Sequence, residues 1–567
     1  MASPQTTSPV VRSTNTKSPA PSSTRRSSIT DHATAAAVLV TTPPTDGKYV
    51  AAIDQGTTSS RFIVFDTTGR IVAVRQVEFD QIHPHAGWTE HDPQVILDSV
   101  TECMAAVVTA MRAAGLDPTR ITSIGITNQR ETTVAWDSAT GQHLCNAIVW
   151  HDTRPQSIVD ALVAATPTKS KDHYAKTTGL PLATYFSATK MRWMLDHVPA
   201  VSAAARDGTL RFGTVDAWLL YKLTGDARVH ATDVTNASRT LLMDLRERAW
   251  SQEMLDLFGI SRTWLPTIRP SSYTFGTVGK DLPLAGVPLS GCLGDQQAAL
   301  VGQKCFAVGE AKNTYGTGCF MLLNTGSEMV PSTHGLLTTA AYDIPALGPP
   351  AYALEGSVAV GGASIKFLRD NLGLISATAE VNELAAQVSH TGGVYFVPAF
   401  SGLYAPYWRN DARGVLVGLT SYTDRRHICR AVLEAVAFQS LDVLDAMNRD
   451  CAVPLVSLKV DGGMTNSDLA MQLQADLAGI PVHRPAMRET TALGAAIAAA
   501  LATGAMDVKD LDRVNADGAD QFHAAVSSES RDRRRRKWAK AVARTLDWVD
   551  EDDAADAADD DQEVVVD

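Results

Sequence analysis

Twice along this chain an apolar run turns through a short loop of glycine and hydroxyl residues and comes back as a second apolar run. The first copy is Tyr49-Val-Ala-Ala-Ile-Asp54, which turns through Gly56-Thr-Thr-Ser-Ser-Arg61 into Arg61-Phe-Ile-Val-Phe-Asp66. Thr67-Thr-Gly-Arg70 then turns into Ile71-Val-Ala-Val-Arg75, which completes a three-strand meander. Helical patterning covers 94–113, and Ile121 to Thr127 reads as a further strand. The second copy lies in Lys312 to Asn324, where Thr314-Tyr-Gly-Thr-Gly318 separates two strands. Strands at Leu336–Ala341 and Ala351–Gly356 follow, and then helices. Two halves that each open with a hairpin and continue into α/β structure predict a duplicated architecture.

The chain has 567 residues, 45% of them hydrophobic, enough for two large domains with cores of their own. No uninterrupted strongly apolar stretch reaches 18 residues, which excludes an integral membrane segment. The nearest approach, Thr491 to Ala505, is mostly alanine and glycine and reads as a closely packed internal helix. The net charge of −12 is concentrated at one end, because residues 550–567 hold ten carboxylates and no base. The dense basic run Arg531-Asp-Arg-Arg-Arg-Arg-Lys537 is local and reads as a solvated helix face, so no nucleic-acid partner is expected. Seven scattered cysteines without a CxxC pair suit reduced thiols in an intracellular enzyme. His83, His85 and His91 fall on a proline- and glycine-broken loop without regular metal-ligand spacing.

Residues 1–47 are rich in Ser, Thr, Pro and Ala, lack aromatics, and are expected to be disordered. Four basic residues against Asp31 and Asp46 leave a mitochondrial transit peptide as the alternative to a cytoplasmic location. The prolines argue for the cytoplasm. Arg25-Arg-Ser-Ser28 also has the form of a short kinase target.

The turns carry the chemistry. In Asp54-Gln-Gly-Thr-Thr-Ser-Ser-Arg61 a glycine permits close backbone approach, hydroxyls offer donors and Arg61 adds a positive fork, which suits polyphosphate. A polar hairpin turn is the plain alternative. Asp54, at a strand end, suits a magnesium ion held mainly through water. Thr314–Gly318 and Leu458-Lys-Val-Asp-Gly-Gly-Met464 follow the same logic, the latter offering bare backbone to a flat base or ribose. There is no Walker A motif.

These loops, together with Gly125-Ile-Thr-Asn-Gln-Arg-Glu-Thr-Thr133, Gly294-Asp-Gln-Gln-Ala-Ala299 and Asn313-Thr-Tyr-Gly-Thr-Gly-Cys-Phe320, resemble the glycerol kinases. Those are FGGY carbohydrate kinases, within the actin/Hsp70/sugar-kinase superfamily. Tyr185–His197 and the stretch from Gly414–Leu419 to His427–Glu434 resemble FGGY signatures, and the likeness covers about 48–549. It implies an α/β fold of two actin-like (ribonuclease H-like) domains facing across a catalytic cleft, 48–303 and 304–510. A helical extension, 511–549, and an acidic disordered tail, 550–567, would follow. It also implies ATP-dependent phosphorylation of glycerol to sn-glycerol 3-phosphate, with ATP and Mg2+ as cofactors and a homodimer or homotetramer as the assembly.

The same likeness assigns Arg130, Glu131, Trp150, Tyr185, Asp295, Gln296 and Phe320 to glycerol, with Asp295 as the base. Thr57, Thr58, Ser59, Arg61, Thr317, Gly362, Lys366, Gly463 and Ser467 go to the nucleotide, and Asp54 to magnesium. The chemistry agrees, since Arg130 and Glu131 pair donors with acceptors and Asp295 suits proton removal from a hydroxyl. Asp295 also suits an Asx-type turn. Three departures stand out: Lys366 replaces a Gln, Ser467 replaces an Asn, and Gly279–Gly286 lacks the Gly-Gly-Thr-Arg that some members use for fructose bisphosphate. The rivals are a pentulose-directed FGGY kinase, an actin- or Hsp70-like ATPase, and an inactive regulator.

Overall fold

Runs buried on both faces need no polar alternation, and the first strands show it: Tyr49 to Ile53 and Phe62 to Phe65 are wholly enclosed. The computed structural model describes residues 38–41, 47–451, 453–516 and 518–549. The first seven-stranded sheet contains β1 (Leu39–Val40), β2 (Tyr49–Gln55), β3 (Ser59–Asp66), β4 (Ile71–Glu78), β5 (Ile121–Asn128), β6 (Ser272–Thr277) and β7 (Pro288–Gly294). Its spatial order is β1-β4-β3-β2-β5-β7-β6. The second contains β8 (Ala311–Tyr315), β9 (Cys319–Gly326), β10 (Leu337–Tyr342), β11 (Ala351–Val358), β12 (Leu458–Asp461), β13 (Val482–Arg484) and β14 (Asp520–Phe522). Its order is β10-β11-β9-β8-β12-β13-β14.

The duplication is therefore real. An antiparallel β2-β3-β4 meander followed by parallel β5 and β7 is repeated, in order and direction, by β8-β9-β11 followed by β12 and β13. The outer strands take matching edge places but come from different points in the chain. One of them corrects the expectation for 1–47, because Leu39 and Val40 pair antiparallel with Val74 and Ala73. The open edge of β4 presents unpaired backbone groups, and two extended apolar residues satisfy them. Residues 1–37, including Arg25–Ser28, and 42–46 lie outside the described residues, as does the acidic tail 550–567.

Seven helices matter here: α1 (Pro93–Ala113), α2 (Asp295–Gly302), α3 (Ala363–Asp370), α4 (Arg425–Asp450), α5 (Asp468–Ala478), α6 (Thr490–Thr503) and α7 (Ser528–Val542). Among the described residues, the helix long and apolar enough to cross a membrane is α1 and not the 491–505 stretch named from sequence. Its Ile96, Val100, Met104, Val107 and Met111 pack into the core of the first sheet. The 511–549 extension is not purely helical, since it contributes β14 before α7. Nor is the basic run simply solvated: Arg534 pairs with Glu434 at 2.8 Å, Arg535 pairs with Asp445, and Trp538 stacks on Phe438.

Helices α2 and α6 lie between the sheets in one apolar core that draws on both, from Val50, Ile63 and Leu293 to Leu322 and Ala353. Their approach requires glycine: a Cβ on Gly494 would sit 1.8 Å from the Ala298 carbonyl oxygen, and one on Gly302 would sit 1.9 Å from that of Thr490. The segment between β5 and β6, joined by Glu90–His91 from before α1, carries a four-stranded sheet made of Glu90–His91, Ala147–Ile148, Thr133–Asp137 and Leu210–Thr214. Its core runs on to Leu337 and Tyr352 of the second half, which brings both halves around one site.

Candidate active site

Parallel strands deliver their C-terminal ends to the same side of a sheet, and in such sheets ligands collect there. Asp54 is the sixth residue of β2 and lies 3.6 Å from Arg61 Nη1. Burial pushes its carboxyl up to about 6, against the pull of Arg61. Arg61 is well occupied: Nε donates to Gln76 at 2.8 Å and Nη1 to Glu489 at 2.8 Å. The turn closes when the Gly56 amide donates to the Ser59 carbonyl. Thr58 is exposed at its tip, and Thr57 accepts from Trp150 Nε1 at 3.1 Å.

Beyond β5 the chain enters a buried network of charges. Arg130 Nη1 and Nη2 each donate to a different oxygen of Glu355 at 2.7 Å, and Nη1 also reaches Gln297. Its Nε lies 3.2 Å from Asp295 Oδ1. Glu131 adopts a left-handed backbone, φ 59°, rare for a non-glycine residue, and Arg239 Nε donates to it at 2.6 Å. Arg239 Nη1 is 3.4 Å from Glu355.

Asp295 is the first residue of α2, where the helix N-terminus favours negative charge, and it accepts from the Gln296 amide at 2.7 Å. Burial raises its pKa, while Arg130 and Lys312 oppose that rise. Lys312, buried on β8, donates to Gln296 Oε1 at 2.5 Å, Thr314 Oγ1 at 2.9 Å and the Phe320 carbonyl at 3.2 Å. It thus ties the start of α2 to the second turn, and burial lowers its pKa to about 8. Trp150 stands edge-on to Tyr185 and Phe320, with ring centroids 5.5 and 6.2 Å apart. Of the residues expected at the acceptor site, Arg130 and Gln296 adjoin Asp295, and Trp150, Tyr185 and Phe320 form one aromatic cluster.

The other expected nucleotide residues, Thr317, Gly362, Lys366, Gly463 and Ser467, lie in the second half, on or beside three turns. Thr317 is exposed at the tip of the β8–β9 turn, which rests on the next loop: the Gly361 amide donates to the Thr317 carbonyl and the Gly362 amide to that of Gly316. A Cβ on Gly362 would also come within 3.5 Å of Met464, so the turn after β12 adjoins them. Gly463 borders open space, and Lys366 is exposed on α3. Ser467 stands at the start of α5. It caps α5 by accepting from the Ala470 amide and donates to Asn382 at 2.5 Å.

Sequence reasoning missed Glu355, Arg239, Lys312 and Gln297. The first and third had a signal. A lone charge inside a run such as Tyr352-Ala-Leu-Glu-Gly-Ser-Val358 or Ala311-Lys-Asn-Thr-Tyr315 has to be paired if the strand is buried. The metal-like group among the described residues is Asp216, Asp233 and Cys292, not the His83/His85/His91 loop. Its carboxylates are already bonded to Thr214, Thr232, Thr235 and Ser271.

Residues 49–302 match the N-terminal domain, and 311–503 the C-terminal domain, of the FGGY family of carbohydrate kinases. A glycerol kinase of Renibacterium salmoninarum is 54% identical over 509 residues, 89% of this chain and 99% of that protein. One from Chloroflexus aurantiacus is 53% identical over 506 residues, 89% of this chain and 100% of that protein. Among solved structures, Plasmodium falciparum glycerol kinase with ADP matches with TM-score 0.81 at 38% identity, covering 88% of this chain and 98% of that one.

Proposed function

This chain belongs to the FGGY family of carbohydrate kinases, and we propose that it transfers the γ-phosphoryl group of ATP to a terminal hydroxyl of glycerol. The products are sn-glycerol 3-phosphate and ADP. The observation that supports this reading is Asp295 at a helix start, 3.2 Å from Arg130, next to Gln296, which Lys312 joins to the second turn.

Asp295 takes the proton from the attacking hydroxyl as the bond to phosphorus forms. Its surroundings suit that task, since burial makes the carboxylate more basic while Arg130 and Lys312 oppose that rise. Glu131 and Gln296 orient the remaining hydroxyls, with one guanidinium edge of Arg130, and Trp150, Tyr185 and Phe320 pack against the carbon chain. Thr57, Thr58, Ser59 and Thr317 surround the phosphates, while Gly362, Lys366, Gly463 and Ser467 border the nucleoside. Asp54, a carboxylate at the cleft with its own pKa raised, fits a magnesium ion held through water, which would neutralise charge on the phosphates. Packing of the halves around the acceptor excludes water and limits ATP hydrolysis. The enzyme acts in the cytoplasm, as a homodimer or homotetramer.

The test is ADP release measured with glycerol, with xylulose, with gluconate and with no acceptor. Turnover strongly preferring glycerol is expected. A preference for either sugar compound, or equal ADP release without acceptor, overturns the proposal.

A further inference from the structure

A carboxylate in the middle of a strand buried along its whole length has to find its counter-charges elsewhere in the molecule. Glu355 lies at the centre of β11, all eight residues of which are buried, and its register partners are Leu322 and Leu337. Both counter-charges come from the other half of the chain. Arg130 grips the two carboxylate oxygens at 2.7 Å, and Arg239 Nη1 lies 3.4 Å away. Beyond those arginines stand Asp295, 3.2 Å from Arg130 Nε, and Glu131, 2.6 Å from Arg239 Nε. The series Asp295, Arg130, Glu355, Arg239, Glu131 alternates in sign, with Glu355 in the middle.

We infer that Glu355 is a positioning residue for phosphoryl transfer: reaching across from the second half, it holds Arg130 so that Asp295 stays free to accept a proton. This rests on the reading of Asp295 as the base. With Glu355 present, the two terminal nitrogens of Arg130 are turned toward it and a single edge faces Asp295. Without it, Arg130 has the Asp295 carboxylate as its nearest anion, and a fork closing on that carboxylate occupies the lone pairs the reaction needs. Because Glu355 belongs to the second half and Asp295 to the first, the base is correctly set when the two halves are packed together.

The charges facing Asp295 give the direction of the pH effect. Arg130 after β5 and Lys312 on β8 lower its pKa, and Glu355 on β11 raises it. Asp54 on β2 is the other carboxylate coupled to it. Removing Glu355 therefore makes Asp295 a weaker base and moves the acid limb of kcat/KM to lower pH.

The experiment compares E355Q with wild type by ADP release on glycerol across the pH range, with circular dichroism to show that the variant is folded. A fall in kcat on the order of tenfold to a hundredfold is expected. The acid limb should move to lower pH, and KM for ATP should stay within about twofold. Wild-type kcat, or a reduced kcat with an unmoved acid limb, overturns the inference and leaves Glu355 a structural pair. Should E355Q not fold, E355D is read instead: lower kcat with unchanged KM for ATP supports the inference, and unchanged kcat overturns it. A wild-type enzyme that does not phosphorylate glycerol would refute the functional reading, a separate result visible in the same assay.

Discussion

The two glycine and threonine turns share a backbone and divide the chemistry between them. In the first half Asp54 faces Arg61 across the hairpin and Thr127 on the parallel neighbour. In the second half the same places are taken by Thr314, Phe320 and Asp461. Each half therefore keeps one aspartate at this point, on opposite strands of the same pair. Asp54 remains partly open to the cleft. Asp461 is turned inward, where its Oδ2 accepts from Thr490 at 2.5 Å and from Gln303 at 3.1 Å, fastening the start of α6 to the end of α2. The aspartate of the second copy serves the joint between α2 and α6, while the proposed function gives the aspartate of the first to the metal.

The largest expected effect tests the two helix starts. Asp295 opens α2 after β7, and Glu489 immediately precedes α6 after β13. Asp295→Asn should lower kcat by about 10²–10⁴-fold, the usual loss on removing a general base, while glycerol binding measured by calorimetry persists. Glu489→Gln removes a partner of Arg61 and should change kcat by no more than a few-fold, on the order of 1 kcal/mol. If the two variants lose comparable activity, the division of labour between the halves is wrong.

The aspartate pair should next show opposite signs in stability. The carboxyl of Asp54 sits near 6 when folded, above its unfolded value, so the folded chain binds that proton more tightly. Its penalty is absent below about pH 4 and complete above about pH 6. In chelator at neutral pH, Asp54→Asn should therefore stabilise the protein by up to about 3 kcal/mol, a gain that fades as the pH falls through that window. Magnesium should stabilise wild type and not this variant. Asp461→Asn should instead cost about 1–2 kcal/mol, because two buried donors lose a charged acceptor. Urea unfolding of both variants, with and without the metal, decides it, and equal signs would erase the contrast.

At one seam the halves should behave alike. Gly302 closes on Thr490, and Gly494 closes on Ala298. Alanine at either position meets a carbonyl oxygen of the other helix, and each substitution should cost about 1–3 kcal/mol in the same unfolding assay. Tolerance of one and not the other would mean that the helices do not meet as equivalents.

The parts legible in the sequence are those with local patterns. The meander, its repeat and the turn chemistry could be read because apolar runs and glycine-threonine loops lie next to each other along the chain. The residues around Asp295 could be read because Arg130-Glu131 and Asp295-Gln296 are adjacent pairs in recognisable motifs. Arg239, Glu355 and Lys312 act across the two halves, and no spacing along the chain encodes their meeting. The edge strands Leu39–Val40 and Asp520–Phe522 are equally silent, being two and three residues long and defined by partners far away in sequence. Arg534 and Arg535 looked solvated because their acidic partners lie on another helix, α4.

The smallest expected effect concerns the second half alone, at Lys366 and Ser467, two positions where the sequence departs from the pattern expected of the family. Lys366 is exposed on α3, so Lys366→Gln removes a charge beside the proposed nucleotide site and no packing. Ser467→Asn is subtler. The hydroxyl already caps α5 and donates to Asn382, and asparagine is as good a cap as serine, so stability should change by less than about 0.5 kcal/mol. The longer amide extends past the cap and displaces the contact with Asn382, which frees a donor toward the nucleoside. Each variant should shift KM for ATP by a few-fold, on the order of 1 kcal/mol, while KM for glycerol stays near wild type, because the acceptor residues come mainly from the other half. Steady-state titration of both substrates reads this directly. A shift confined to glycerol would put α3 and α5 beside the acceptor and end the assignment of the second half to the nucleotide.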